Sequence, residues 1–432
     1  MLLDGVTQVV SSRRLLDLVR TRGTISRVEL ARLSGLTSPT VTHVVRGLLD
    51  LGLVHETGVQ QRGRGQPRRL LSVTADAGYA VGIQVDLTTT TAVVVDFAGA
   101  TVASAGLRGS GRRSPDRTVA ALVDHVDDLL ASAGVPRERV LGVGLVTHGP
   151  QDRERGMLLT AQPTPAWERY PLTARLAAGL GLPVLLENDA TAAAVGELWT
   201  RDLDTQTFGL VYMASGIGGA VVVDGVAYRG RASNAVEIGH VPLPDARAGC
   251  VCGNRGCTQA EAGPAAVVAQ ALARADVAER WDVRGAPEDT LADFERVARA
   301  ARDGDADASH LLTRSARRVG QAATVLVNLF DVDTVLLAGP AFATAGPLYR
   351  RVVGAALTEH ALSRTLSPPR VALSGQVATV AAVGGALTVL RGAPDATPAR
   401  GGADVAARPP TDHVPDRPAD HTAEHTATIG AL

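Results

Sequence analysis

The chain has 432 residues, of which 45 % are apolar, 20 % charged and 3 % aromatic, with a formal net charge of −1. This is the composition of an ordinary soluble globular protein, and the length predicts two or three domains. No apolar run approaches the roughly 18 residues of a membrane span, no signal peptide is legible, and three cysteines are an odd number for a disulfide framework. The expected compartment is the cytoplasm, with no membrane partner. The near-neutral total conceals an asymmetry. Residues 1–75 carry eleven arginines against five acids, so the remainder is acidic. A basic segment on an acidic body points to a polyanionic partner for that segment alone. Lysine is absent, so every fixed side-chain cation is an arginine.

Within residues 1–75, Leu15, Leu18 and Val19 mark one short helix. A second begins at Ser26-Arg-Val-Glu29, which fits a capping box. Ser34-Gly35-Leu36 makes a tight turn, and Ser38-Pro39 reads as the N-cap and first residue of a third helix. Val41, Val44, Val45 and Leu48 form one apolar stripe on that helix. Its other face carries Thr40, Thr42, His43 and Arg46. Two strands, at Leu53–Glu56 and Leu70–Val73, flank the arginine-rich stretch 61–69. This is the pattern of a winged helix-turn-helix, with the third helix in the major groove of double-stranded DNA and the arginine wing on phosphates or a narrow minor groove. The candidate DNA contacts are Ser38, Thr40, Thr42, His43 and Arg46 on the helix, and Arg62, Arg64 and Arg68 in the wing.

From residue 76 the texture becomes strands alternating with helices. Tyr79–Asp86, Ala92–Asp96 and Thr101–Ala105 read as strands, with a hairpin turn near Gly99. A similar unit recurs at Phe208–Ala214 and Ala220–Asp224, with its turn at Gly225. Ala92-Val-Val-Val-Asp96 and Ala220-Val-Val-Val-Asp224 are identical, and they follow Gly82 and Gly209 by ten and eleven residues. A duplicated α/β unit is expected, with a first lobe over 76–200, a second over 201–370, and a ligand cleft between them. Residues 371–390 should complete the first lobe, ending in a helix from Gly375 to Leu390. Residues 391–432, with six prolines and no aromatics, cannot bury enough apolar surface to order themselves and predict a disordered tail.

All three cysteines fall in Cys250-Val-Cys252-Gly-Asn-Arg-Gly-Cys257, ten residues after His240. Three thiolates and an imidazole form a tetrahedral zinc set, and glycines let a short loop wrap the ion, so a structural zinc held by His240, Cys250, Cys252 and Cys257 is expected.

Glu237-Ile-Gly-His240 with this cysteine loop, Leu186-Glu-Asn188-Asp189-Ala-Thr, and Gly142-Val-Gly144 through Gly149-Pro150 together resemble the ROK family of repressors, open reading frames and sugar kinases. The resemblance covers roughly residues 10–390. It implies an α/β fold of the actin-like ATPase (ribonuclease H-like) class, two-lobed, behind an N-terminal winged helix-turn-helix. It further implies a sugar held by Asn188 and Asp189 from the first lobe and by Glu237, His240 and Gln259 from the second. The zinc would fix the tautomer of His240 and aim its other ring nitrogen at the ligand. Asp189 has a rival reading as a helix N-cap.

In the family's kinases the residue matching Asp189 is the general base. The kinase phosphate loop has glycines and often a lysine after its aspartate, whereas here Asp86 is followed by Leu-Thr-Thr-Thr-Thr91. Backbone lacking glycine cannot closely approach phosphate oxygens, so no kinase activity is expected. The leading expectation is a transcriptional regulator, a repressor of carbohydrate uptake and catabolism genes. It would be a homodimer or dimer of dimers with a sugar or sugar-phosphate effector. An ATP-dependent sugar kinase with an attached DNA-binding domain and a ligand-independent DNA-binding scaffold are the alternatives.

Overall fold

A computed structural model describes residues 2–60, 68–200 and 205–392, with side chains from Val10 onward and without that of Gln60. The arginine wing positions Arg62 and Arg64 therefore lie outside the described residues, as do 393–432.

The N-terminal part contains α1 (Leu2–Arg22), β1 (Ile25–Ser26), α2 (Arg27–Ser34), α3 (Ser38–Asp50), β2 (Val54–Gln60) and β3 (Arg68–Val73). The strands form an antiparallel sheet in the order β1-β3-β2. The capping box is present: Glu29 N donates to Ser26 Oγ (3.3 Å), and Ser26 N donates to Glu29 Oε2 (3.2 Å). Gly35 ends α2 in the left-handed conformation at φ 68°. Two expectations need correction. α1 is a 21-residue helix, not a short one. The N-cap of α3 is Thr37, not Ser38: Thr37 is extended, and its hydroxyl accepts from Thr40 N (3.4 Å), while Ser38 is already helical. Leu15, Leu16 and Val19 of α1 share one buried cluster with Val41, Val44, Val45 and Leu48 of α3, so the outermost helix carries the third. Glu56 of β2 binds Arg27 of α2 (3.0 Å) and Arg69 of β3, which ties the hairpin to the helices.

The first lobe contains β4 (Tyr79–Val85), β5 (Thr89–Asp96), β6 (Thr101–Arg108), α4 (Pro115–Ser132), β7 (Val140–Thr147), the short pair β8 (Gln151–Asp152) and β9 (Met157–Leu158), α5 (Leu172–Leu180), β10 (Val184–Asn188) and α6 (Asp189–Thr200). Its five-stranded sheet runs β10-β7-β4-β5-β6. The second lobe contains β11 (Phe208–Met213), β12 (Ile217–Val223), β13 (Val226–Ala227), α7 (Thr258–Ala262), α8 (Pro264–Leu272), α9 (Ala275–Arg280), α10 (Thr290–Arg302), α11 (Ala306–Phe330), β14 (Thr334–Ala338), α12 (Phe342–His360) and β15 (Arg370–Leu373). Its sheet runs β13-β12-β11-β14-β15. In each sheet the leading strand pairs antiparallel with the next one and parallel with the fourth. Gly82 faces Val93 and Gly209 faces Val221, so the two identical pentapeptides hold the same register. The leading strands are buried almost throughout, as strands covered on both faces require.

The segment expected to complete the first lobe divides between the lobes. β15 pairs parallel with β14 and belongs to the second sheet, whereas the closing helix α13 (Val380–Gly392) packs on the first. α13 begins five residues later than the sequence pattern suggests, and it contains Arg391 and Gly392, so the expected tail begins later than 391. The approach of α13 is at backbone contact. A Cβ on Gly384 would lie 1.7 Å from Ala192 O of α6, and one on Gly196 of α6 would lie 2.5 Å from Val380 O. Gly384→Ala should therefore cost about 3 kcal/mol or more of stability. A urea melt showing a loss under about 1 kcal/mol would contradict this packing.

Candidate functional site: an interlobe cleft beside a Cys3His cluster

β10 ends at Asn188, where α6 begins. Asn188 Oδ1 accepts from Thr191 N (3.1 Å), so Asn188 is the residue whose side chain caps the helix. Asp189, read as a possible N-cap, instead accepts from Ala190 N (2.8 Å) as the first helical residue. Across the cleft, Glu237 precedes the one-turn 3-10 helix Ile238–His240. Gly149 marks where the two sides meet. A Cβ there would lie 2.9 Å from Glu237 Oε1, 3.4 Å from Asn188 Nδ2 and 3.5 Å from Asn234 Oδ1. The two sides therefore bring together a carboxylate and two side-chain amides, groups suited to hydroxyl-rich ligands. Gln259 is engaged differently from expectation: its Oε1 accepts from Ile217 N (3.1 Å), which orients the amide and leaves both Nε2 hydrogens to donate to a ligand.

Burial pushes Asp189 up to about 7, and the neighbouring negative charges of Glu237 and Asp86 add to the rise. Burial likewise raises Glu237. Several cross-lobe contacts were not foreseen from the sequence. Ser215 Oγ donates to Asp86 Oδ2 (2.5 Å), Gln84 Nε2 donates to Tyr212 OH, and Asn234 exchanges hydrogen bonds with Gln151 N and O (2.8 and 2.9 Å). Arg229 binds the buried carboxylate of Glu187 through Nε (3.1 Å) and Nη2 (2.7 Å). Only a pairing between distant strand ends creates these bonds, and no local pattern announces it.

The ligand atoms of His240, Cys250, Cys252 and Cys257 all lie within 4.8 Å of one another. Cys252 and Cys257 Sγ are 3.7 Å apart, and Cys250 Sγ is 3.5 Å from His240 Nδ1. Tetrahedral zinc with bonds of about 2.3 Å to sulfur and about 2.0 Å to nitrogen requires separations of roughly 3.8 and 3.6 Å. The four groups thus fit a metal ion, with Nδ1 as the ligating nitrogen and Nε2 left over. The loop reaches this shape because Gly253 (φ 92°) and Gly256 (φ 73°) take conformations that other residues avoid.

On α3 the side chains of Ser38, Thr40, Thr42, His43 and Arg46 are all exposed, opposite the buried valine stripe, and Arg68 is exposed at the start of β3. The Thr40 hydroxyl lies 2.8 Å from that of Thr37.

The model of the ROK family matches residues 80–392. A xylose repressor of Caldicellulosiruptor bescii is 26 % identical over 344 residues, 79 % of this chain and 84 % of that one. A glucokinase of Thermotoga maritima is 32 % identical over 221 residues, 49 % of this chain and 68 % of that one. Among solved structures, a ROK family transcriptional regulator described as a homologue of the Escherichia coli Mlc protein superposes with a TM-score of 0.72 at 23 % identity, over 90 % of this chain and 98 % of that one. The matched family spans the whole two-lobed body and its cleft, and the chain belongs to the ROK family.

Proposed function

We propose that this protein is a sequence-specific DNA-binding transcriptional regulator, a repressor of carbohydrate uptake and catabolism genes. A sugar or sugar phosphate between the lobes is its effector. The observation that carries the reading is α3, whose apolar stripe is buried while Ser38, Thr40, Thr42, His43 and Arg46 face outward, on a domain with a surplus of arginine. A repressor among the relatives supports it. Asn188, Asp189, Glu237, the Nε2 of His240 and the Nε2 of Gln259 are the proposed sugar contacts, and Arg62, Arg64 and Arg68 the proposed wing contacts. Zinc at His240, Cys250, Cys252 and Cys257 would hold the loop that follows Glu237 and fix the imidazole tautomer. A homodimer or dimer of dimers would read two half-sites about one or two helical turns apart.

One observation bears on the kinase alternative. Phosphoryl transfer depends on positioning and on neutralising charge at the phosphates, which calls for groups free to engage a nucleotide and its metal ion. Here the carboxylate of Asp86 is already satisfied by Thr88 N (2.9 Å), Thr88 Oγ1 (2.8 Å) and Ser215 Oγ (2.5 Å). This supports a regulator in which a kinase cleft has become a ligand-binding cleft. Asp189 at about 7 is suited to a general base, and a glucokinase relative exists, so ADP release over a hexose panel is the test that would restore the kinase reading.

Footprinting on the DNA upstream of its own gene, at near-physiological salt with competitor DNA, should reveal a protected pseudo-palindrome, and a matching sugar should weaken that protection. Binding that is unspecific and abolished by salt would refute the regulator reading. Elemental analysis should find about one zinc per chain, and Cys257→Ser should lose it together with several degrees of melting temperature. A full-strength metal signal in that variant would exclude the site. The raised carboxyl of Asp189 contributes stability that is full below its ordinary 3.8 and lost as pH rises towards about 7. Asp189→Asn should accordingly gain stability relative to wild type across that window, and a constant difference between pH 4 and pH 7 would contradict it.

A further inference from the structure

α6 has two ends with different surroundings. Its first residues form one wall of the cleft. Its twelve residues span roughly 18 Å, and at the far end Trp199 meets the DNA-binding part of the chain. Because α6 and α13 touch backbone to backbone at Gly196 and Gly384, neither can slide without the other. The pair therefore behaves as one lever, and the last residues of both helices converge on α1.

Arg20 of α1 occupies that convergence. Its side chain is only 1 % exposed. Its Nε donates to Phe97 O (3.0 Å) and its Nη1 to Leu390 O (3.2 Å) at the carbonyl end of α13. The guanidinium lies 4.0 Å from the centroid of the Phe97 ring and 5.8 Å from that of Trp199. Asp17 of α1 is 3.8 Å from Arg20 and 3.7 Å from Arg391 of α13. Nη2 has no hydrogen-bond partner among the described residues, so the guanidinium is held through Nε and Nη1, and displacement would leave those two buried donors unmet as well. Favourable charge at the carbonyl end of α13 adds to the grip. A displacement of the α6–α13 pair would act on α1 through these contacts, and α1 shares its buried cluster with α3.

We infer that Arg20, with Trp199 and Arg391, forms a positioning latch through which the state of the interlobe cleft sets the placement of the DNA-reading helix. The inference rests on reading the cleft as the effector site. Thermodynamic coupling is reciprocal, so a disturbance at either end must be felt at the other.

Hydrogen exchange by mass spectrometry on the full-length protein tests this with neither sugar nor operator, so a failure of sugar binding and a failure of coupling are seen separately. In Arg20→Gln, amides of residues 188–193 should exchange about threefold faster than in wild type, while 334–338 in the second sheet keep their rates. If Arg20→Gln does not fold, Arg391→Ala applies the same disturbance at a more exposed residue. Conversely, Asp189→Asn should alter exchange in residues 13–22. Changes confined to 13–22, 97–100 and 388–392 in the latch variants, a uniform rise that includes 334–338, or no response of α1 to Asp189→Asn would each overturn the proposal.

Discussion

The contact on which the rest depends is the one between α6 and α13, made where two glycines remove the side chains that would hold the helices apart. It joins the last helix of the body to the helix that carries Asp189. Close-packed backbone of this kind is stiff, since no flexible side chain lies between the partners to absorb a shift. The first sheet, the wall of the cleft and the seat of α1 are thereby referred to one rigid pair. Under the proposed reading, a ligand near Asn188 would act on this rigid pair instead of dissipating in local repacking.

The two lobes share a plan but divide the labour. The first supplies the capped helix that presents Asn188 and Asp189. The second supplies a loop, Glu237 to Cys257, with little regular structure. A helix end is rigid by its own hydrogen bonds, whereas a loop of this length needs an external constraint, and three thiols and an imidazole within 4.8 Å of one another are suited to provide it by holding a metal ion. With a metal bound, the cysteine cluster would solve the same problem as the helix cap, positional accuracy across a cleft, by different means.

Much of this was legible in the sequence because it is local or repeated. The capping box at Ser26 and Glu29, the valine stripe of α3, and the cysteine spacing each declare themselves within a dozen residues. The repeated Ala-Val-Val-Val-Asp sequence revealed the duplicated hairpin, and its register is the same in both sheets. The misses share a cause. Thr37 and Ser38 are both competent caps, and backbone geometry decides between them. The extent of α1 is not announced by its weak periodicity. Arg20 resembled any other arginine of a basic segment, and its burial arises only once residues 97 and 390 arrive beside it. The ties from Asp86 to Ser215 and from Gln151 to Asn234 likewise depend on two distant strand ends meeting.

Asn188 is used twice. Its carbonyl oxygen caps α6, and its Nδ2 lies on the side of the cleft near Glu237. Aspartate, serine or threonine would serve the helix as well. The cleft, however, already gathers Asp86, Asp189 and Glu237; Asp189 is raised mainly by burial, and the charges of Glu237 and Asp86 add to that rise. An aspartate cap would add a fourth anion, and a hydroxyl would lack the reach and the second donor hydrogen. Charge crowding in the cleft, and not helix chemistry, therefore favours an uncharged amide at this position. Under the proposed reading, the choice of cap would thereby bear on which ligand the pocket accepts.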